Sequence, residues 1–180
     1  MRIYIGYDQD SECPNEFDGW EVRSFSNRHV NFTHPDSFDM DEVEAGRAFL
    51  LSYYEHGNCI WKLNEDSPFT CPWDSVGVAG IVRWNGTDTL EQNFDTPEQI
   101  KDSARSFVEV YTKWCNGEVY YYDIINDEGV TVEACGGFIG TDYIREEIDA
   151  AVKYLQTEGD PLAPSGEGII ITGDAAWIMD

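Results

Sequence analysis

The sequence predicts an α+β fold in which about three helices pack on one face of a mainly antiparallel sheet. Short segments with strand-like alternation recur along the chain, helical patterns with capping signals interrupt them, and hairpin turns or helix returns link many of the strands. At 180 residues and 42% hydrophobic composition, the chain is long enough to bury one core. We therefore predict a single α+β domain over residues 1–180.

The first third of the chain is predicted as strand, loop and helix. MRIYIGYD alternates as a strand, an acidic loop runs up to Trp20, and WEVRSFSNRHVNF indicates one irregular strand or a short hairpin. The segment SFDMDEVEAGRAFLLSYYEHGN begins with a Ser or Asp cap, carries acids in its first turn and ends at Gly57. These signals predict one long helix.

The middle of the chain is predicted as two strands and a helix. CIWKLNED indicates a strand, SPFTCPWDS a loop broken by proline, and VGVAGIVRWNG a strand buried on both faces. DTPEQIKDSARSFVEVYTKWCNG has an Asp or Thr cap, Pro97 at its first position, an apolar stripe and a stop at Gly117. It is the clearest helix in the sequence.

The last third is predicted as a hairpin, a helix and a final strand. EVYYYDII and VTVEACGGFIG flank the turn NDEG, TDYIREEIDAAVKYLQTEG has a helical apolar stripe, and IIITGDAAW indicates a strand. Because strand side chains alternate, Tyr120 and Tyr122 share one face and Tyr121 lies on the other, so at least one tyrosine looks away from the helices. Gly136 and Gly137 indicate a bulge or sharp bend.

The charge of the chain limits its partners. The sequence has 35 acidic and 11 basic residues, a formal net charge of −24, well beyond what solubility asks for. Such a surface repels phosphates and anionic membranes, so direct binding to nucleic acid or membrane is not expected. A basic protein or a cation is the expected partner.

Two acidic clusters lie at the starts of predicted helices, where acids also complement the helix dipole. Solvated helix faces are the ordinary explanation of such runs. Residues 120–180 nevertheless hold 13 acids against two bases, more than capping requires. The clusters are Asp36, Asp39, Asp41, Glu42 and Glu44, and Asp142, Glu146, Glu147 and Asp149.

No pattern typical of catalysis is found, so we predict no catalytic residues and no enzyme. The sequence has neither a GxSxG motif nor a glycine loop that cradles phosphate. Asp8, Asp10 and Glu12 alternate as in a calcium loop, but Cys13 stands where that loop needs glycine. The histidines lack metal-ligand spacing; they are His29, His34 and His56. We therefore predict no metal and no cofactor.

The five cysteines form no CxxC pair, which predicts reduced thiols, most of them buried. The chain shows no signal-like start and no apolar run of the roughly 20 residues that a membrane span needs. We therefore expect a soluble, cytoplasmic protein.

Several aromatic and turn motifs resemble a known group of proteins. WCNGEVYYYDI followed by EACGGFIG and a helix, with YYEHGNCIWKL and CPWDSVGVAGIVRW upstream, is similar to acidic proteins of bacteriophages and mobile elements, especially of actinobacterial hosts. The resemblance covers roughly residues 48–155. The group has no established activity, so the resemblance implies a phage-like context and a host-cell cytoplasm, and no site residues.

Charge and context together predict a non-enzymatic protein that inhibits or modulates a host nucleic-acid-binding or defence protein by imitating the charge of DNA. The expected partner-binding residues are the two acidic clusters, with Tyr121 as an aromatic anchor. One alternative is a structural or assembly accessory protein that self-associates through a sheet edge as a homo-oligomer. A small-ligand or metal-binding scavenger is another.

Overall fold

The computed structural model describes residues 1–25, 35–66, 69–71, 73–157 and 169–179, which form eight strands and four helices. The strands are β1 (Arg2–Tyr7), β2 (Trp20–Ser24), β3 (Ala48–His56), β4 (Asn58–Leu63), β5 (Ser75–Trp84), β6 (Val119–Ile125), β7 (Thr131–Ile139) and β8 (Ile170–Thr172). The helices are α1 (Ser37–Glu44), α2 (Leu90–Asn93), α3 (Pro97–Cys115) and α4 (Ile144–Thr157). Single 3-10 turns lie at Pro14–Glu16 and Ala176–Met179.

The predicted α+β class with mainly antiparallel pairing is confirmed, but the strands form two sheets instead of one. Their orders are β7-β6-β1-β8 and β2-β5-β3-β4, and β1–β8 is a parallel pair. Each sheet lies in its own compact unit: a terminal unit of Met1–Glu12 and Gly117–Asp180, and a central unit of Cys13–Asn116. The two units are defined by the contacts within each of them, which do not determine whether each unit folds by itself. The assignment of one domain to residues 1–180 therefore stays a prediction.

In the terminal unit, α4 covers one face of the sheet, as expected. Its apolar stripe is buried against Ile3 and Ile5 of β1 and against β6, and Ala175 and Ile178 from the last turn complete this core. The stripe residues of α4 are Ile144, Ile148, Val152 and Leu155. Spacing of three and four residues puts them on one side of a helix, so the opposite side faces solvent.

The three consecutive tyrosines divide between the two faces of this sheet, as predicted. Tyr120 and Tyr122 are each 3% exposed and lie in the core under α4, whereas Tyr121 lies on the other face. Burial raises the pKa of Tyr122 to about 12, so its hydroxyl stays neutral at physiological pH. The pairing of β6 with β7 shifts register near Gly136 and Gly137, which confirms the predicted bulge.

In the central unit, α3 packs on one face of the second sheet. Ala104 and Val108 of α3 are buried against a cluster from all four strands of that sheet, which includes Trp20, Leu51 and Trp61. A capping box starts the helix: Thr96 Oγ1 accepts a hydrogen bond from the Gln99 amide at 3.2 Å, and Gln99 Oε1 accepts one from the Thr96 amide at 3.1 Å.

The other face of the second sheet is also covered. A smaller cluster there joins Phe25, Ala48 and Ile81 with Val43 of α1. Helices therefore lie on both faces in this unit, in contrast to the one-face expectation. Because β5 is buried on both sides from Ala79 to Val82, the prediction made for VGVAGIVRWNG is confirmed.

The long helix predicted from Ser37 to Gly57 was wrong in its second half. Helix α1 ends at Glu44, and Gly46 then takes a φ of 72°. The Gly46 amide donates to Val43 O at 3.0 Å and the Arg47 amide to Glu42 O at 2.9 Å, the two bonds of a Schellman ending. The apolar run after Gly46 forms β3, because a continuous run fits a strand buried on both faces as well as a helix.

None of the helices in the described part of the chain combines the length and the apolar run that crossing a bilayer requires.

Strand β2 confirms the start of the segment predicted as an irregular strand or hairpin. The rest of that segment falls in residues 26–34, outside the described ranges.

Candidate partner-binding surface

The solvent side of α4 carries most of the second predicted acidic cluster. Asp142, Glu146, Glu147 and Asp149 are all exposed. Within the described residues, no ion pair involves the three acids that lie on the helix itself. Two of them, Glu146 and Glu147, lie in the first turn, where they also complement the helix dipole.

Two aromatic side chains lie beside these acids. Tyr143 is 71% exposed and Tyr154 is 61% exposed, unusual values for rings of that size. Positions 143, 147 and 154 are four and seven residues apart, so the two tyrosines lie on the same side of the helix as Glu147. We call Asp142, Tyr143, Glu146, Glu147, Asp149 and Tyr154 the α4 face.

A pocket of about 270 Å³ adjoins the α4 face. Asp142, Glu146 and Trp177 line it, and Trp177 is 51% exposed with its ring edge-on to Tyr120 at 6.1 Å between centroids. Arg145 holds the last turn against α4, because its guanidinium donates to Ile178 O, from Nε at 3.1 Å and also from Nη2. Arg145 also lines the pocket, which therefore combines two carboxylates, one guanidinium and an aromatic ring.

The first acidic cluster is largely used inside the protein. Asp36 caps α1, since its Oδ1 accepts from the Asp39 amide at 2.9 Å, and Asp39 Oδ2 accepts from the Asp36 amide at 2.9 Å. Asp39 is 1% exposed, and Arg23 donates to the same carboxylate. A buried carboxylate cannot reach a partner, so the assignment of Asp39 to a partner surface was wrong.

Of the remaining acids of α1, one forms an ion pair and two are open to solvent. Glu42 forms two hydrogen bonds with Arg47, at 2.9 Å from Nε and 2.7 Å from Nη2, and this guanidinium lowers the pKa of the Glu42 carboxyl. Asp41 and Glu44 are exposed. This cluster belongs to the central unit and the α4 face to the terminal unit, so each is described by itself.

Tyr121 does not lie with the acids of α4, because it is on the opposite face of its sheet. Its ring packs over Gly6, where an added Cβ would come within 2.7 Å of the Tyr121 ring, and beside Tyr4 at 5.9 Å between centroids. Partial burial, the nearby Tyr4 and Asp123 raise the pKa of Tyr121. The exposed aromatic residues beside the α4 acids are Tyr143 and Tyr154 instead.

The calcium-like run at the end of β1 has a structural use. Asp8 Oδ1 accepts a hydrogen bond from the Asp10 amide at 3.2 Å, and Asp8 Oδ2 accepts one from the Gly137 amide at 2.9 Å. The Asp8 carboxylate therefore shapes its own turn and supports the bulge in β7. Across the described ranges, no three His, Cys, Asp or Glu side chains are arranged to hold a metal ion.

The histidine and cysteine predictions have mixed outcomes. His29 and His34 lie outside the described ranges, and His56 is exposed with its Nδ1 at 3.4 Å from Asp74 Oδ2. All five cysteines are free, but the expectation that most are buried was wrong: three are half-buried and two are exposed. Cys59 lies in β4 and packs against the central core, Cys115 ends α3, and Cys135 lies in β7.

The sequence did contain a signal for the aromatic part of the α4 face. Tyr143 and Tyr154 fall off the apolar stripe that runs from Ile144 to Leu155, on a helix whose other side is acidic. An aromatic residue outside a helix's apolar stripe is a candidate for a partner contact.

No protein-family model, curated protein or solved structure matches the chain. Function therefore has to be argued from the residues that the fold places together.

Proposed function

We propose that this chain is a non-enzymatic binding protein that inhibits or modulates a basic, nucleic-acid-binding protein by presenting DNA-like negative charge. The α4 face is the surface that occupies the partner's nucleic-acid site. The phage resemblance extends the proposal to a phage-encoded protein acting in the host cytoplasm on a host nucleic-acid-binding or defence protein.

One observation carries the proposal: Glu146, Glu147 and Asp149, the acids on α4 itself, are exposed and have no ion pair among the described residues. The four acids from Asp142 to Asp149 span about 10 Å at a helical rise of about 1.5 Å per residue. One strand of B-DNA carries about three phosphates over that length, one every 3.4 Å or so. The spacing of charge is therefore similar to that of a nucleic-acid strand.

Charge is also distributed unevenly between the two units. The terminal unit has 17 acidic residues against three bases, Arg2, Arg145 and Lys153. The central unit has 18 acidic residues against eight bases, and most of its described bases form ion pairs within that unit. The excess of negative charge is therefore densest in the unit that carries α4.

The exposed tyrosines supply the close, water-excluding contacts that charged side chains alone do not provide. Long-range attraction between opposite charges speeds encounter and weakens as salt rises. Aromatic side chains at the centre of an interface exclude water and contribute much of its affinity. Tyr143 and Tyr154 beside Glu147 fit that role, because each ring is more than half exposed in the free protein.

The proposal is tested by capture with a matched pair of variants. Immobilised protein is incubated with lysate of an actinobacterial host at about 0.05 M and about 0.5 M NaCl, and retained proteins are identified and then challenged with duplex DNA. We expect a basic, nucleic-acid-binding protein that is retained at low salt and displaced by DNA. Its affinity for the purified Glu146→Gln, Glu147→Gln, Asp149→Asn variant should fall about tenfold or more, since three interface charges are lost.

The control variant removes the same number of charges elsewhere. Glu91→Gln, Glu109→Gln and Glu128→Gln neutralise three exposed acids outside the α4 face, and binding should stay within about twofold because the interface is intact. Tyr143→Ala should weaken binding with the charge unchanged. Equal losses in both charge variants, no basic protein retained at low salt, or recovery of the chain itself alone would overturn the proposal, and the last result would support the self-associating alternative.

A further inference from the structure

A second concave site lies in the central unit, away from the residues used so far. It is a pocket of about 330 Å³ between β3, β4 and the end of α3. Its walls combine aromatic rings, one carboxylate and two thiols, from Tyr53, Glu55, Cys59, Trp61, Tyr111 and Cys115. Two cysteines 56 positions apart in the sequence therefore face one cavity.

Side chains from α3 clamp the outer edge of β4 and hold these cysteines together. Asn116 Oδ1 accepts a hydrogen bond from the Cys59 amide at 2.8 Å, and Asn116 Nδ2 donates to Cys59 O at 3.0 Å. Thr112 Oγ1 accepts one from the Trp61 amide at 3.1 Å. Because Asn116 directly follows Cys115, this two-point contact fixes Cys59 against the helix end that carries the second thiol.

The Cys59 and Cys115 side chains interact. A hydrogen bond from Cys115 favours the thiolate form of Cys59, which lowers the pKa of Cys59. The same interaction raises the pKa of Cys115. The Tyr111 hydroxyl contacts Cys115, and Glu55 opposes ionisation of Cys59 through its negative charge. Of the pair, Cys59 is therefore the better nucleophile, and Cys115 lines the same pocket.

We propose that Cys59 and Cys115 are a redox-active dithiol that closes reversibly to an intramolecular disulfide. Its oxidant is a low-molecular-weight disulfide of the glutathione type, which enters through the open pocket. Cys59 as thiolate attacks one sulfur of that molecule, forms a mixed disulfide and expels the first thiolate. Cys115 loses its proton to solvent and attacks the Cys59 sulfur, which expels the second thiolate. The protein loses two hydrogens, and the oxidant becomes two thiols.

Closure would tie β4 covalently to the end of α3. The bond joins residues far apart in the sequence, so it restricts the unfolded chain strongly. A thiol pair in an otherwise disulfide-free protein is the arrangement typical of transient, redox-sensing bonds in a reducing compartment. The site thus adds a reversible modification to the central unit and is independent of the α4 face.

The test is oxidation of the full chain with oxidised glutathione at neutral pH. We expect an intact mass lower by two hydrogens, a cross-linked peptide containing Cys59 and Cys115, and full reversal by dithiothreitol. The thermal unfolding midpoint of the oxidised protein should rise by about 5 °C or more, because the unfolded chain is restricted.

Serine variants separate this pair from the other thiols. Cys59→Ser and Cys115→Ser should each stop at a glutathione adduct or remain reduced, and Cys135→Ser, which removes an exposed thiol of the terminal unit, should form the same disulfide as the parent. Cys13→Ser removes a third thiol near Tyr111 and Cys115, and this variant should also form the same disulfide as the parent. A cross-link between any other pair, or equal glutathione uptake at all five thiols of the unaltered chain, would overturn the proposal without reliance on variants.

Discussion

Gly173 lies where the chain leaves β8 and passes closely over the backbone of Ile5. It has a φ of 106°, and a Cβ built on it would lie 2.1 Å from Ile5 O. The Ala175 amide then donates to the same Ile5 O at 3.1 Å, so the close approach is part of the route by which the last turn reaches the core. Only glycine satisfies both the dihedral angle and the space.

We expect Gly173→Ala to destabilise the protein by about 3 kcal/mol or more, since a strained φ and a steric clash with backbone add together. Urea unfolding followed by circular dichroism measures this change. The matched control is Gly129→Ala, where φ is 81° but nothing lies within 4 Å of the added Cβ. That variant should lose only about 1–2 kcal/mol, the cost of the dihedral angle, and equal losses at the two sites would refute the argument from close approach.

Asp39 shows how the surroundings of a residue determine its role. In the sequence it is one of several acids near a helix start, and nothing distinguishes it from Asp41. In the structure its carboxylate is buried, caps α1 and binds Arg23. One carboxylate oxygen, Oδ1, and Arg23 Nε are nevertheless buried without a hydrogen-bond partner among the described residues. Because Asp39 is buried and depends on Arg23 and on the helix start, removal of Arg23 would leave a buried carboxylate without its counter-charge, which makes this site costly to alter.

At the scale of elements, α3 has the strongest local signals and was predicted almost to the residue. Pro97 fits the first turn, where its missing N–H is not needed, and Thr96 and Gln99 form the capping box. Its apolar stripe packs on the sheet of the central unit, and its far end supplies Thr112 and Asn116 to the edge of β4.

Thr96→Ala should lower the free energy of unfolding by about 1 kcal/mol, because the Gln99 amide loses its acceptor at the helix start. Thr96→Ser keeps the hydroxyl and should cost no more than a few tenths of a kcal/mol. Chemical denaturation of the three proteins under the same conditions measures both changes. A serine variant as unstable as the alanine variant would assign the effect to the lost methyl group instead of the cap.

Strand β3 shows where element prediction fails. The run AFLLSYYEH begins with four consecutive apolar residues and has two tyrosines after Ser52, so its hydrophobic pattern has no period that separates helix from strand. Pairing with β4 on one side and β5 on the other decides the outcome. The glycine before the run was the local signal that α1 ends there.

At the scale of the whole molecule, net charge opposes folding. The formal charge of −24 is held by a chain of 180 residues, and self-repulsion of that size acts against any compact state. Buried apolar clusters in both units and ion pairs in the central unit offset it. This excess of negative charge destabilises the fold, so a role in binding would explain why the protein carries it. Such a role is the one proposed for the α4 face.

Stability should therefore rise with salt. Between about 0.01 M and about 1 M NaCl the Debye length falls from about 30 Å to about 3 Å, which screens repulsion among distant acids. We expect the midpoint of the first thermal unfolding transition to rise by about 5 °C. Salt also weakens the exposed ion pairs, but this opposing effect is smaller because each pair contributes about 1 kcal/mol or less.

The Glu146→Gln, Glu147→Gln, Asp149→Asn variant provides the comparison for this prediction. It has less repulsion to screen, so its midpoint should rise by a smaller amount over the same range of salt. A midpoint that stays constant or falls with salt in the parent protein would show that repulsion among the acids does little to destabilise the fold.

The sequence by itself determined the α+β class, α3, α4, the β6–β7 hairpin and the opposite orientation of Tyr121 within the three tyrosines. These features depend on spacing and on local signals such as Thr96, Pro97 and Gly117, which act within a few residues. Of the candidate site, the acids of α4 were predicted from the sequence, because a helix with one apolar stripe must expose its other side.

Only the tertiary structure decided the division into two sheets, the burial of Asp39 and the meeting of Cys59 with Cys115. Each depends on contacts between residues far apart in the chain: β1 pairs with β6, Arg23 reaches α1, and Asn116 binds the backbone of Cys59. The periodicity of a short sequence window does not predict such pairings. They depend on how whole helices and strands pack together and on which backbone groups form hydrogen bonds between them.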